Sequence, residues 1–401
     1  VGVVILYHAE ITIFGNETFK GGFIGVDIFF VISGYLISNI IISEFNKGSF
    51  SFKAFYERRV RRLLPALIVT LSSSSVLALI SFNSFSIQEY VKSLVASMTF
   101  LGNFYFSTID FYTYDPIKYS FLVHTWSLAI EEQFYILFPI VLFFLYKYTK
   151  KNIFLFITIF LILSLYLNVL SITNQKFYFL QFRIWEFLVG VGAMILSSKF
   201  SIKKIDILGT MLIIFCITYF DDNWISDIEP KLVCLTGAGL ILLSDTENSF
   251  VEKFSNIKLI SIIGLSSYSM YLFHQPLFAF TRIMSDSLNR EFNLYIKILI
   301  ISILIYLSNL NYKKIEIFFI KDKNPKTLKK FLGNQTVFLL IFIFVITITQ
   351  GFNFLHTEKD LNAEPGNLSF QPDGELLGNV NQEPRFVVIG DSMANHFLKS
   401  L

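Results

Sequence analysis

Residues 1–43 read VGVVILYHAEITIFGNETFKGGFIGVDIFFVISGYLISNIIIS: an apolar segment, a short Gly/Asn/Lys turn, and a second, longer apolar segment. His8 sits inside the first and Asp27 inside the second. Ionisable groups are costly in hydrocarbon, so those found there face a protein interior and mark function.

The rest of the chain has the same character. Of 401 residues, 54% are hydrophobic and only 16% charged, where a soluble globule carries roughly a quarter charged residues. Forty-seven Phe and 19 Tyr, with a mean hydropathy of +0.59, exclude a water-soluble core. An all-α polytopic membrane protein is predicted. No Met and no basic stretch precede the first apolar run, so it is not a signal peptide, and both ends are expected to be cut. Cys216 and Cys234 lie in apolar segments and indicate no disulfide framework.

Windows long enough to cross hydrocarbon fall at 1–14, 22–44, 63–82, 127–146, 153–171, 178–198, 205–220, 231–244, 259–283, 292–312 and 334–355. The run 93–107 is apolar but short and carries Gly102 and Asn103. If it does not span, Arg58, Arg59, Arg61, Arg62 and the lysines near 150, 200, 255 and 320 share one side, a bias of about three to one. Ten helices with a cytoplasmic start follow, and an eleventh carries the tail out. Residues 1–330 are expected to form one membrane domain and 331–356 an added helix. Residues 357–384, rich in Asn, Gly, Pro, Glu and Gln, form an extracytoplasmic linker, and 385–401 open a further domain.

The chemistry-bearing residues are spread along this frame. His8 suits a general base, and a histidine merely hydrogen-bonded within the bundle fits its position equally well. Asp27 and Gly34, two turns apart, share a face. The glycine suits close helix packing, and Asp27 needs a cationic partner, from the first helix or the outer loop. Arg58, Arg59, Arg61 and Arg62 suit a polyphosphate, with headgroup anchoring as the plainer alternative. In HTWSLAIEEQFY, residues 124–135, Glu131 shares a face with Ser127 and with Tyr135, while Glu132 points elsewhere. Arg183 and Glu186 are three apart and predicted to pair. Tyr271 and His274 share a face just before Pro276, where a helical irregularity would open a polar lining. Glu316 is most simply a cytoplasmic ion-pair partner.

Seven ordered stretches together resemble the membrane acyltransferase family 3, the polysaccharide and lipopolysaccharide O-acetyltransferases. They are Tyr7-His8, GGFIGVDIFFVISGYLI, FYERRVRRLLP, HTWSLAIEEQFY, FRIWEFLVG, SYSMYLFHQP and Glu316. The tail VVIGDS, residues 387–392, is similar to the first block of an SGNH hydrolase-type domain. The resemblance implies transfer of acetyl from acetyl-CoA, a cosubstrate rather than a bound cofactor, to a hydroxyl of a surface or lipid-linked glycan such as O-antigen. No metal and no nucleic acid are implied, and the place is a plasma (inner) membrane. His8, Glu131, Glu132 and Ser392 are implied as catalytic, and the four arginines as CoA-phosphate ligands. Asp27, Ser33, His124, Trp126, Ser127, Arg183, Glu186, Tyr271 and His274 are implied to line the substrate site. The family's arginine about ten residues before its histidine would fall before Val1. A lipid-linked glycan transporter or a sensor without chemistry is the alternative, though the inverted repeats of transporters are absent from the sequence.

Overall fold

A computed structural model describes residues 1–349 except 14–15, 83, 110–116, 150–151, 172–173, 201, 226, 246–248, 289 and 291. The linker, the SGNH-like stretch and Ser392 therefore lie outside the described residues. The chain is almost wholly helical: α1 (Gly2–His8), α2 (Gly25–Asn46), α3 (Phe52–Ser81), α4 (Ser84–Met98), α5 (Gly102–Ser107), α6 (Thr125–Thr149), α7 (Ile153–Leu170) and α8 (Leu180–Ser197) make the first half. The second half comprises α9 (Ile205–Tyr219), α10 (Glu229–Leu243), α11 (Phe250–Ser255), α12 (Lys258–Leu265), α13 (Ser267–Ser287), α14 (Leu294–Asn311), α15 (Ile317–Lys321) and α16 (Pro325–Ile348). A two-stranded antiparallel ladder, Thr12–Ile13 against Asn16–Glu17, follows α1.

Among the described residues, seven helical segments are long and apolar enough to cross a membrane. They contain α2, α3, α6, α7, α8, α14–α15 and α16. The other expected spans differ in instructive ways. The first ends at His8, because Glu10 takes a left-handed backbone (φ 50°) and turns the chain. The α9 and α10 helices have 15 residues each, about 22 Å of rise against roughly 30 Å of hydrocarbon. The window 259–283 breaks at Ser266 into α12 and α13, and α13 is less apolar because its Ser, His and Gln side chains face the bundle interior. The run 93–107 is interrupted where Phe100 takes a left-handed φ of 54°, leaving α4 and α5 too short to span as one helix.

Helix direction agrees with that reading. Phe30 meets Trp126, Ser33 bonds Glu131 and Asn46 bonds Tyr146, so α2 and α6 run parallel. Asp27 pairs with Arg183, and Tyr35 reaches Ser197, so α8 runs the same way. Three parallel helices fit a chain in which 93–107 does not cross. Their contact is close because glycines allow it. A Cβ on Gly34 would stand 2.0 Å from the Phe187 carbonyl oxygen, and one on Gly190 1.9 Å from that of Val31. Lipid tails are as apolar as the side chains, so such close packing, rather than water exclusion, holds membrane helices together. Phe187 completes the seam, stacking on Phe30 at 4.4 Å and on Phe134 at 4.3 Å. The α16 helix lies against α3, tied by Ser72 Oγ donating to Gln335 Oε1 at 2.8 Å.

The glycine contacts are backbone against backbone and have no side chain to give way. Gly34→Leu or Gly190→Leu should destabilise the bundle by about 1–3 kcal/mol or more. A thermal melt of purified protein in detergent checks this, with Gly192→Leu, where the Cβ meets nothing within 4 Å, as the neutral control.

Candidate functional site

A cavity of about 570 Å³ opens at the end of the bundle where α2, α6 and α8 begin. The wall is made by α1, by the first turns of those three helices and by α13. His8, Asp27, His124, Trp126, Arg183 and Tyr271, all expected at a substrate site, lie on it. Ser33, Ser127, Glu131, Glu186 and His274 stand behind or beyond that wall.

All three described histidines gather here in a row. The rings of His8 and His274 are 5.3 Å apart between centroids, and those of His274 and His124 also 5.3 Å. His274 Nδ1 lies 2.5 Å from the Tyr271 carbonyl oxygen, so Nδ1 carries the proton and Nε2 the lone pair. That Nε2 is buried without a hydrogen-bond partner. Pro276, inside α13, has no N–H for the Leu272 carbonyl. The helix continues, so the expected irregularity reduces to one freed carbonyl. The His124 ring lies against the Leu272 backbone without closing a well-formed hydrogen bond. Burial, with His274 and His8 close by, holds the His124 imidazole well below the usual histidine range. His124 is therefore neutral at physiological pH. Tyr271 joins the row to α6, its hydroxyl 2.5 Å from Ser127 Oγ and donating to the His124 carbonyl at 3.2 Å. No set of three or more His, Cys, Asp or Glu among the described residues is arranged to hold a metal ion.

His8 is fixed from its backbone. Arg282 of α13 donates to the His8 carbonyl at 2.5 Å, pairs with Glu10 at 3.0 Å and donates to the Lys118 carbonyl at 2.9 Å. One guanidinium thus holds the end of α1, its own helix and the approach to α6 together. Arg282 was not singled out in the sequence. The signal was available: His274, Phe278 and Arg282 recur every four residues on one face of α13.

A buried charge cluster starts at the cavity wall and runs behind it. Arg183 pairs with Asp27, and its Nε lies 2.8 Å from Glu186 Oε1. The predicted Arg183–Glu186 pair is present, but the partner of Asp27 comes from α8 rather than from α1 or the outer loop. Packing of α2 on α8 brings the two together. The guanidinium also lies on the faces of Phe30, Trp126 and Phe177, 5.3–5.7 Å from their centroids, where ring quadrupoles favour a cation. Lys231 of α10, likewise buried and unforeseen, adds a fourth charge near Phe177. Pro230-Lys231 opening an apolar helix was its only mark in the sequence.

Further along the seam of α2 and α6 a second polar group forms. Glu131 accepts from Ser33 at 2.6 Å and from Tyr135, so the expected helical neighbour is a direct bond. Glu132 is half-buried beside it. Arg59 lies over the Tyr135 ring at 4.8 Å. The four arginines divide. Arg58 is exposed and paired with Glu44 at 2.6 Å. Arg61 pairs with Glu57 at 2.8 Å and donates to the carbonyls of Asp322 (2.7 Å) and Lys323 (3.1 Å), tying α3 to the turn before α16. Arg59 and Arg62, three apart, remain without an ion-pair partner within 4 Å among the described residues and bear on Glu131. Glu316, expected as a cytoplasmic ion-pair partner, is instead buried and accepts from Ser269. It closes a π-helical turn, Tyr312–Glu316, whose extra residue rotates the side chain inward.

A family model described as an acyltransferase domain matches residues 2–310. A Staphylococcus aureus (strain COL) protein provisionally named an O-acetyltransferase is 30% identical over 392 residues, covering 91% of this chain and 63% of its own length. The O-acetyltransferase OatA of S. aureus strain MRSA252 is 29% identical over 385 residues, 89% of this chain and 62% of that protein. The chain thus spans less than two thirds of these relatives. No solved structure gives a significant match.

Removing one member of the buried cluster leaves an uncompensated charge, a loss of about 3–5 kcal/mol. Asp27→Ala is expected to lower the melting midpoint far more than Glu44→Ala, which breaks only the exposed pair with Arg58; thermal unfolding in detergent separates the two.

Proposed function

The chain belongs to this acyltransferase family, and on that premise we propose that it transfers an acetyl group from acetyl-CoA to a hydroxyl of a cell-surface glycan across a plasma (inner) membrane. Lipopolysaccharide O-antigen is one acceptor of that class. The similar proteins bear O-acetyltransferase names, which supports the group transferred. The lysine and arginine bias supports a cytoplasmic donor side and an outer cavity.

The observation that carries this reading is the row of imidazoles at the 570 Å³ cavity, with His8 and His124 on its wall and His274 between them behind it. Its end, His8, is partly open. His8 takes the proton of the acceptor hydroxyl as that oxygen attacks the thioester carbonyl. The C–S bond then breaks, and the proton leaves on the CoA thiol. Alternatively His8 relays the acetyl group itself. Arg59 and Arg62 hold donor phosphates from the basic side, with Glu131, Glu132 and Tyr135 shaping the channel between. Residues 1–330 carry the transfer, and in a protein with the appended domain complete the acetyl group would pass to Ser392 before reaching the sugar.

Loss of a general base costs roughly 10²–10⁴-fold. His8→Ala should abolish base-labile acetate on surface glycan while leaving expression intact, and a fully active variant would sink the role. Arg59→Gln and Arg62→Gln should each raise KM for acetyl-CoA by about tenfold or more, the worth of one charge-assisted hydrogen bond. Arg58→Gln should change it by less than about twofold, since that side chain is exposed and already paired.

A further inference from the structure

A second cavity, about 740 Å³, lies on the basic side of the bundle between α3 and α16. Its rim carries Lys53, Glu57, Arg61 and Lys329, and its wall continues through Leu332 to Val337. Arg61 is committed to Glu57 and two backbone carbonyls. Lys53 and Lys329 have no ion pair among the described residues and are exposed. The rim therefore holds two unneutralised ammonium groups above an apolar wall. From Lys329 to Val337 the helix rises about 12 Å, from the charged edge into the hydrocarbon-facing stretch of α16. Gly333 keeps this path open, since a Cβ there would meet nothing within 4 Å. Only 17% of the α16 apolar window is buried, so the groove faces the bilayer.

We propose that this groove is a binding site for one anionic phospholipid, with its phosphate on Lys53 and Lys329 and an acyl chain laid over Gly333 towards Val337. A charged head above an apolar track is the shape of a lipid, whereas a free nucleotide or phosphate would use the rim alone. Lys321, Lys323, Lys326 and Lys330 crowd the same edge and strengthen the attraction of an acidic leaflet. The site is formed with a helix beyond the matched domain, residues 2–310, and does not depend on the transferase reading.

The test uses the full chain in nanodiscs of phosphatidylcholine with a minor share of photoactivatable phosphatidylglycerol, or with photoactivatable phosphatidylcholine instead. Crosslinked peptides are mapped by mass spectrometry. Each lysine is worth about fivefold, so labelling of α3 and α16 should favour phosphatidylglycerol by roughly twentyfold. Lys53→Gln and Lys329→Gln should each lower that preference about fivefold. Lys326→Gln, which removes the same charge outside the groove, should lower it less. Gly333→Phe should displace labelling from the groove with both lysines kept. Equal labelling by the two lipids overturns the proposal. So does an equal loss in Lys326→Gln and Lys329→Gln, which would mean a diffuse field. Displacement of the lipid by free CoA or inorganic phosphate would assign the rim to a soluble anion instead.

Discussion

The ion pair between Asp27 and Arg183 sets the geometry of everything around the cavity. Both side chains are almost wholly buried, where a lone charge is untenable without a partner of opposite sign. Glu186 and Lys231 bring the cluster to two basic and two acidic side chains, and three ring faces cover the guanidinium. The pair forms only if α2 and α8 approach closely, which Gly34 and Gly190 permit. With α2 held on α8, Ser33 is presented to Glu131 of α6, and the order of the polar seam follows.

Much of this was legible from spacing. Apolar windows located most of the helices, and short-range pairs came out as read: Arg183 with Glu186 at three residues, Glu131 with Tyr135 at four. Those geometries belong to the helix itself. What spacing cannot encode is which helices touch. Asp27 and Arg183 lie 156 residues apart, and Arg61 and Arg59, two residues apart, have unrelated fates because one faces the turn before α16 and the other faces Tyr135. Glu316 turned inward through a π-helical turn that no hydrophobic period announces. The expected first span stopped at His8 because Glu10 answers to Arg282, a residue of a distant helix.

The two ends of the seam differ in chemistry. Imidazoles and a tyrosine hydroxyl, groups that exchange protons, gather at the cavity. Guanidinium groups that keep their charge under all conditions stand at the other end. Between them lie Ser127, Ser33 and Glu131, buried side chains bonded to one another or to Tyr271 and Tyr135.

The shared direction of α2, α6 and α8 carries one more consequence. Peptide dipoles in each helix add up to a partial positive charge of about one half at its first turn. The first turns of all three meet the same cavity through Val26 and Asp27, Trp126, and Arg183. The void is therefore bathed in a positive potential that no side chain has to supply. Such a potential disfavours protonated imidazole, and it favours the negative oxygen that forms when an acyl carbonyl is attacked. In the transfer proposed above, the backbone itself, through the orientation of three helices, would act on both the base and the intermediate.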